Sequence, residues 1–207
     1  MRDGFRPMKL IDLTLPIVAG MPVYPNDPPV RVHKVRDLPA HGFRLHEIAL
    51  GSHTGTHVNA PWHMAEKGAR LEELGLAHFV AQAVVRQKGD IFPERSCAPA
   101  PPGPTGPTKA SGDPGVPESG VGLIYADFAL DASELPLVLA ARPPFVAQAA
   151  KYPLDAAIER ALCEAGIVSF ENLANTRELP RGERFLFVGL PLAVSGDGAP
   201  VRAVAIL

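Results

Sequence analysis

The sequence predicts a mixed α/β protein built on a β-sheet, with few helices and many turns. Three observations favour this fold class: short runs with strand-like apolar patterns, one segment with helical spacing of its apolar residues, and Pro or Gly turns between them. Proline makes up 23 of the 207 residues, about twice its usual share. Hydrophobic residues are 46% of the chain, which is enough for a core. At this length we expect a single domain, residues 1–207.

The elements of the sheet are predicted from the apolar runs in chain order. Residues 8–24 are expected to form an opening strand and loop, and strand character is found in residues 30–35, 44–50, 79–85, 121–126, 167–170, 185–190 and 201–206. Residues such as Gly, Pro, Asn and Asp bound most of these runs and favour turns there. One helix is predicted at residues 154–165, and Gly166 is expected to end it. The strand of residues 167–170 is expected to end at Glu171.

One segment interrupts this pattern. Residues 93–120 contain eight Pro and five Gly in 28 positions, with almost no aliphatic side chain before Val116. Such a segment cannot pack a core, and structureless spans beyond about 12–15 residues are uncommon in a compact domain. We therefore expect an exposed loop or insertion at residues 93–120.

Charge and cysteine content exclude several classes of protein. Twenty Lys and Arg against 22 Asp and Glu give a net charge of −2, which excludes a nucleic-acid or anionic-membrane footprint and favours a small-molecule substrate. No apolar stretch is long enough for a membrane helix, and the start lacks a signal peptide, so we expect a cytoplasmic protein. Cys97 and Cys163 are too few for a disulfide framework and lack zinc-ribbon spacing.

The chemistry-bearing pattern is a cluster of histidines. Three of the seven histidines fall within residues 53–63. His53 and His57 have the i, i+4 spacing of two ligands on one helix face, but Gly55 and Pro61 argue against a helix, so we expect a loop that leaves the strand of residues 44–50. Small residues in such a loop let imidazoles reach a metal ion. Three structural histidines with no metal are the alternative interpretation.

Residues 53–63 resemble the motif His-x-Gly-Thr-His-x-Asp-x-Pro-x-His of the cyclase family of metal-dependent hydrolases, which includes bacterial kynurenine formamidase and isatin hydrolase. The match fails only at Asn59, where the family has Asp. Further similar segments are residues 11–14, 20–22, 166–173, 191–192 and 197–205. The resemblance implies a swivelling β/β/α fold, assembly as homodimers or homotetramers, and a zinc or manganese centre.

The resemblance also implies roles for individual residues. His53, His57 and Glu171 match ligand positions, and His63 matches the catalytic base or proton shuttle. Where the family has a later histidine ligand, this chain has Glu159. A neutral amide at Asn59 together with a carboxylate at Glu159 keeps the formal charge of the site.

We therefore predict His53, His57, Asn59, Glu159 and Glu171 as ligands of zinc, or of manganese if the oxygen-rich set favours a harder ion. A solvated helix residue is the alternative interpretation of Glu159.

The predicted activity is metal-dependent hydrolysis of an amide, lactam or lactone in a small aromatic substrate, similar to that of an arylformamidase, with His63 moving protons. Trp62 is either a stacking platform for that substrate or a core residue. The main alternative is a degenerate or repurposed family member: a biosynthetic cyclase or dehydratase, or a ligand-binding scaffold without metal. A third alternative is a module that binds peptides through its proline-rich loop.

Overall fold

The computed structural model describes residues 8–90 and 120–207. The predicted insertion, residues 93–120, lies outside the described residues except for Gly120.

The described residues form eleven strands, three α-helices and four single 3₁₀ turns. The strands are β1 (Leu10–Asp12), β2 (Arg31–Arg36), β3 (Leu45–Ala49), β4 (His57–Asn59), β5 (Val80–Val85), β6 (Val121–Tyr125), β7 (Phe145–Ala149), β8 (Val168–Leu173), β9 (Phe185–Val188), β10 (Gly198–Pro200) and β11 (Val204–Ile206). The helices are α1 (Leu38–His41), α2 (Leu135–Ala141) and α3 (Ala156–Glu164). The 3₁₀ turns are Pro61–His63, Leu71–Glu73, Leu76–His78 and Thr176–Glu178.

Nine strands form one mixed sheet in the order β1-β11-β9-β5-β6-β7-β8-β4-β10, curled into a half-barrel. The strands β5, β6, β7 and β8 run parallel, and the remaining pairings are antiparallel. The strands β2 and β3 pair only with each other, as a separate antiparallel ribbon. This arrangement confirms the predicted fold class, a mixed α/β sheet protein with few helices. No helix in the described ranges is both long and apolar enough to cross a membrane.

The two faces of the sheet bury different sets of side chains, because neighbours along a strand point to opposite faces. On β6, Leu123 and Tyr125 belong to the same buried cluster as Ile158 and Leu162 of α3. The larger cluster, on the other face, centres on three rings whose centroids lie 4.7–5.2 Å apart. These rings are Phe145, Phe170 and Phe187.

The helix α3 follows from the sequence in the expected way. The Asp155 side chain accepts hydrogen bonds from the backbone N–H groups of Ala157 (2.9 Å) and Ile158 (3.3 Å), which caps the first turn. Gly166 follows with φ of 74°, a conformation that suits glycine just after a helix end. The helix thus begins and ends within two residues of its predicted bounds.

Two predictions about local structure were wrong. Residues 53–63 were expected to form a loop, whereas His57–Asn59 form β4 and Pro61–His63 form a 3₁₀ turn. The strand of residues 167–170 does not end at Glu171, since β8 continues to Leu173. Strand pairing explains both differences. The strand β4 pairs with β8, and His57 lies opposite Glu171. Because the paired residues lie far apart in the chain, no local sequence pattern indicates the pairing.

The packing of the aromatic cluster predicts how much stability the protein loses when one ring is removed. We expect Phe187→Ala to lower the free energy of unfolding by about 3–5 kcal/mol, because Phe187 is 0% exposed and its removal leaves a cavity between two rings. Leu192→Ala, at a side chain that is 71% exposed, serves as the control and should change stability little. Urea denaturation measures both. Equal stability losses in the two variants would contradict the packing described for Phe187.

Candidate functional site

Seven polar side chains from separate parts of the chain meet at one end of β4. They come from the loop before β4, from β4 itself, from the 3₁₀ turn after it, from α3, from β8 and from the residue before β10. The seven are His53, His57, Asn59, His63, Glu159, Glu171 and Asp197.

The register of β4 sets the relative positions of three of them. In the antiparallel pairing with β8, His57 lies opposite Glu171 and Asn59 lies opposite Ser169. Directly opposed residues point to the same face of a sheet, so these four side chains share one face. On its other edge β4 pairs with β10, where Gly198 lies opposite Asn59. The face of β4 that carries the site is therefore fixed by hydrogen-bonded strands on both sides.

The loop before β4 is held by buried hydrogen bonds. The Thr56 hydroxyl accepts from the backbone N–H of Leu15 (2.8 Å) and donates to the carbonyl of Asn172 (2.7 Å). The Gly55 carbonyl accepts from Nδ1 of His57 at 2.9 Å. Because a carbonyl oxygen can only accept, His57 carries a proton on Nδ1 and directs Nε2 toward Glu171.

Position 198 in β10 requires glycine, because the His53 imidazole and the backbone of β4 lie directly against it. A Cβ on Gly198 would lie 2.9 Å from Cε1 of His53 and 2.5 Å from the carbonyl oxygen of Val58. Such distances are shorter than real Cβ contacts allow, so any larger residue would displace the imidazole or the strand. The absence of a side chain at Gly198 thus lets His53 lie against the sheet.

The buried part of the site, which we call the inner cluster, consists of His57, Asn59, Glu159 and Glu171. The Asn59 amide nitrogen donates to Oε1 of Glu159 in a short contact, and to Oε1 of Glu171 at 2.9 Å. It also lies 3.2 Å from the hydroxyl of Ser169. Nε2 of His57 lies 3.6 Å from Oε1 of Glu171. One amide therefore faces both carboxylates.

The more exposed part, which we call the outer cluster, consists of His53, His63 and Asp197. Oδ2 of Asp197 lies 2.8 Å from Nε2 of His53 and 3.2 Å from Nδ1 of His63. The two imidazole rings are 4.0 Å apart between centroids. The two clusters are joined where Nδ1 of His53 lies 2.7 Å from the amide oxygen of Asn59.

The surroundings move the pKa values of the two inner carboxyls apart. Burial, with the nearby charge of Glu171, raises the pKa of Glu159 to about 7. Burial also raises the pKa of Glu171, but His57 and the Asn59 amide outweigh it and hold that pKa below its ordinary value. Glu171 is thus the more readily ionised carboxyl of the pair.

In the outer cluster the carboxylate is the strongly ionised group. Burial opposes ionisation of Asp197, but the hydrogen bond and charge of His53, with smaller contributions from His63 and Ser52, bring its pKa down to about 2. Burial and the charge of His53 lower the pKa of His63, against the opposing effect of Asp197. Asp197 is therefore an anion near neutral pH.

Three ligand atoms of the outer cluster, and one pair of atoms in the inner cluster, are spaced closely enough to hold a divalent metal ion. In the inner cluster Nε2 of His57 lies 3.6 Å from Oε1 of Glu171, which is longer than a hydrogen bond. Two donors bound about 2.0–2.1 Å from one tetrahedral ion lie roughly 3.3–3.4 Å apart, close to this distance. In the outer cluster, His53, His63 and Asp197 each offer one ligand atom, all within 4.8 Å of one another.

The structure brings together six of the seven residues predicted for the site. His53, His57, Asn59, His63, Glu159 and Glu171 all lie in the two clusters. Their roles as ligands or proton carrier stay predictions. The alternative interpretation of Glu159 as a solvated residue is wrong, because it is 6% exposed. Its burial follows from its place on α3, where it shares a face with the buried residues Leu162 and Cys163.

Trp62 lies apart from the contacts that join the clusters. Its indole is 37% exposed, and the guanidinium of Arg70 lies 4.1 Å from the ring centroid. It is thus not a fully buried core residue, and its contact with a substrate stays a prediction.

Sequence reasoning missed two residues of the site, Asp197 and Ser169. Asp197 opens the segment of residues 197–205, one of the stretches that carry the family resemblance, so its position already contained a signal. Ser169 lies in another of these stretches, residues 166–173, but its place in the site depends on the pairing that sets it opposite Asn59.

Comparison with known proteins agrees with the motif. Residues 11–96 match a family model described as "Putative cyclase". The kynurenine formamidase of Salinibacter ruber is 28% identical over 228 aligned residues, which cover 95% of this chain and 97% of that protein.

Two solved structures share the fold. A predicted metal-dependent hydrolase from Bacillus stearothermophilus is 24% identical, with a TM-score of 0.66 over 97% of this chain and 99% of that one. Isatin hydrolase A from Ralstonia solanacearum is 16% identical, with a TM-score of 0.67 over 97% and 92% of the two chains. In the motif of residues 53–63 and over residues 11–96 this chain is thus similar to the cyclase family, and it shares the fold of these solved structures.

Proposed function

We propose that this chain is a metal-dependent hydrolase that opens an amide, lactam or lactone bond in a small aromatic substrate. The observation that carries the proposal is the approach of Nε2 of His57 to Oε1 of Glu171 at 3.6 Å, which places two potential ligand atoms close enough to bind the same cation. The similarity to kynurenine formamidase and the fold shared with isatin hydrolase support the choice of reaction class.

We assign His53, His57 and Glu171 to hold the ion. Two imidazoles and one carboxylate form a known ligand set of catalytic zinc and leave a position open. Manganese is the alternative ion, since the neighbouring oxygens of Asn59 and Glu159 make the site richer in hard donors. Bound by these three residues, such an ion would supply a water of lowered pKa and polarisation of the substrate carbonyl.

His63 is assigned to carry protons. Asp197 lies against Nδ1 of His63 and fixes the orientation of the ring, while the His63 side chain remains 23% exposed at the edge of the site. In this position the imidazole takes a proton from the attacking water and returns it to the leaving group. A positioned base of this kind contributes roughly 10²–10⁴-fold to the rate. Asp197 acts through His63 and is a positioning residue.

A specific observation also favours the second candidate, a ligand-binding scaffold without metal. The Asn59 amide already satisfies both inner carboxylates, so the buried part of the site is hydrogen-bonded in the absence of an ion. Metal content separates the two candidates directly.

We expect His57→Ala to lose bound metal and to abolish hydrolysis of N-formylkynurenine, because it removes one of the two assigned imidazole ligands. Elemental analysis of protein prepared with added zinc and manganese, followed by a turnover assay, measures both effects. His46→Ala is the matched control, since His46 is exposed on the separate β2–β3 ribbon. Wild-type protein with no stoichiometric metal, or undiminished turnover in His57→Ala, would refute the proposal.

For His63→Gln we expect metal content to be retained, KM to change little, and kcat to fall by roughly 10²–10⁴-fold, as the loss of a proton carrier predicts. The same variant tests whether His63 is instead a ligand together with His53 and Asp197, the group whose donor atoms lie within 4.8 Å. In that case the metal content falls as well, and the assignment of His63 as proton carrier is wrong.

A further inference from the structure

The Asn59 side chain is placed so that its amide can face only one way. It is 1% exposed, and its nitrogen lies against carboxylate oxygens of Glu159 and Glu171. Its oxygen lies 2.7 Å from Nδ1 of His53. Turning the amide over would set its oxygen against two carboxylates, which cannot donate when ionised. The nitrogen therefore belongs between Glu159 and Glu171.

We propose that the Asn59 amide takes the place of a cation between Glu159 and Glu171, so that this chain assembles its buried carboxylate pair without a metal ion. The inference concerns how the site is held together. It is independent of the proposed reaction, because it requires neither a substrate nor a bound ion.

The physical argument starts from what an aspartate would do at this position. Aspartate has nearly the same shape as asparagine but offers no N–H group, so residue 59 would place a third carboxylate within hydrogen-bond distance of two others. Buried charges of one sign are costly unless a cation or a proton lies among them. An aspartate at position 59 therefore needs a cation or an added proton among the three carboxylates, and an asparagine needs neither.

The contact also explains why two residues depart from the family motif in the same chain. Asn59 lacks the negative charge that the motif places there, and Glu159 adds one where the family resemblance implies a later histidine ligand. These two side chains hydrogen-bond directly although they lie 100 residues apart. The amide donates to the added carboxylate, so each change compensates for the other.

The same amide makes Asn59 a positioning residue for the outer cluster. Its oxygen contacts His53, whose other ring nitrogen contacts Asp197, and Asp197 contacts His63. A single fixed amide thereby connects the buried carboxylates to the more exposed imidazoles.

The test is thermal unfolding of wild type and Asn59→Asp, each in EDTA and with added Mn²⁺ or Zn²⁺. In EDTA we expect the wild type to be folded and the Tm of Asn59→Asp to be lower by roughly 5–10 °C. Added metal should reduce this difference by at least half, because a cation replaces the lost N–H donor. Equal Tm values in EDTA would overturn the proposal, as would a difference that metal leaves unchanged.

Two further variants identify the cause of the shift. Asn26→Asp makes the same charge change at an exposed turn and should leave the Tm in EDTA unchanged. Asn59→Asp combined with Glu159→Gln restores an amide to the pair, so its Tm in EDTA should return most of the way to that of wild type. A double variant no more stable than Asn59→Asp would overturn the proposal.

If Asn59→Asp does not fold in EDTA, the double variant is tested under the same conditions. Its recovery of the folded state then supports the proposal, and its failure to fold overturns it. None of these measurements uses turnover, so a failed search for hydrolase activity leaves them interpretable.

Discussion

The site depends on the pairing of a strand only three residues long. Residues His57–Asn59 of β4 are hydrogen-bonded to β8 on one edge and to β10 on the other. This pairing sets His57 opposite Glu171 and brings the residue before β10, Asp197, next to His53. Without it, the histidine motif and the two later acidic residues would lie on unrelated segments.

The carboxylates of the site are stabilised by the neutral Asn59 amide in the inner cluster and by two imidazoles in the outer cluster. Burial, with the charge of Glu171, raises the pKa of Glu159, whereas His57 and the Asn59 amide hold the pKa of Glu171 below its ordinary value. The Asn59 amide donates hydrogen bonds to both carboxylates. In the outer cluster Asp197 keeps its charge because two imidazoles face it. The site is thus acidic where it is buried and mixed in charge where it reaches solvent.

Much of the fold was predictable because most strands carry their own signal. The runs that became β5, β6 and β9 are apolar, β-branched or aromatic, and bounded by turn residues, so their local pattern agrees with their place in the sheet. The strands β4 and β10 are three residues long and contain Asn, Gly and Pro. They are strands by virtue of pairing with segments distant in sequence, and a pattern read along the chain does not contain that information.

The sequence by itself determined the set of groups available for chemistry: the spacing of His53, His57 and His63, the replacement of an acid by Asn59, and the acidic residues Glu159 and Glu171. Only the tertiary structure decided how they combine. It placed Asn59 between two carboxylates, buried Glu159, and added Asp197 to the imidazoles. The physical reason is that hydrogen bonds and charge interactions depend on distances of a few ångströms, and sheet pairing and helix packing set those distances between residues far apart in the chain.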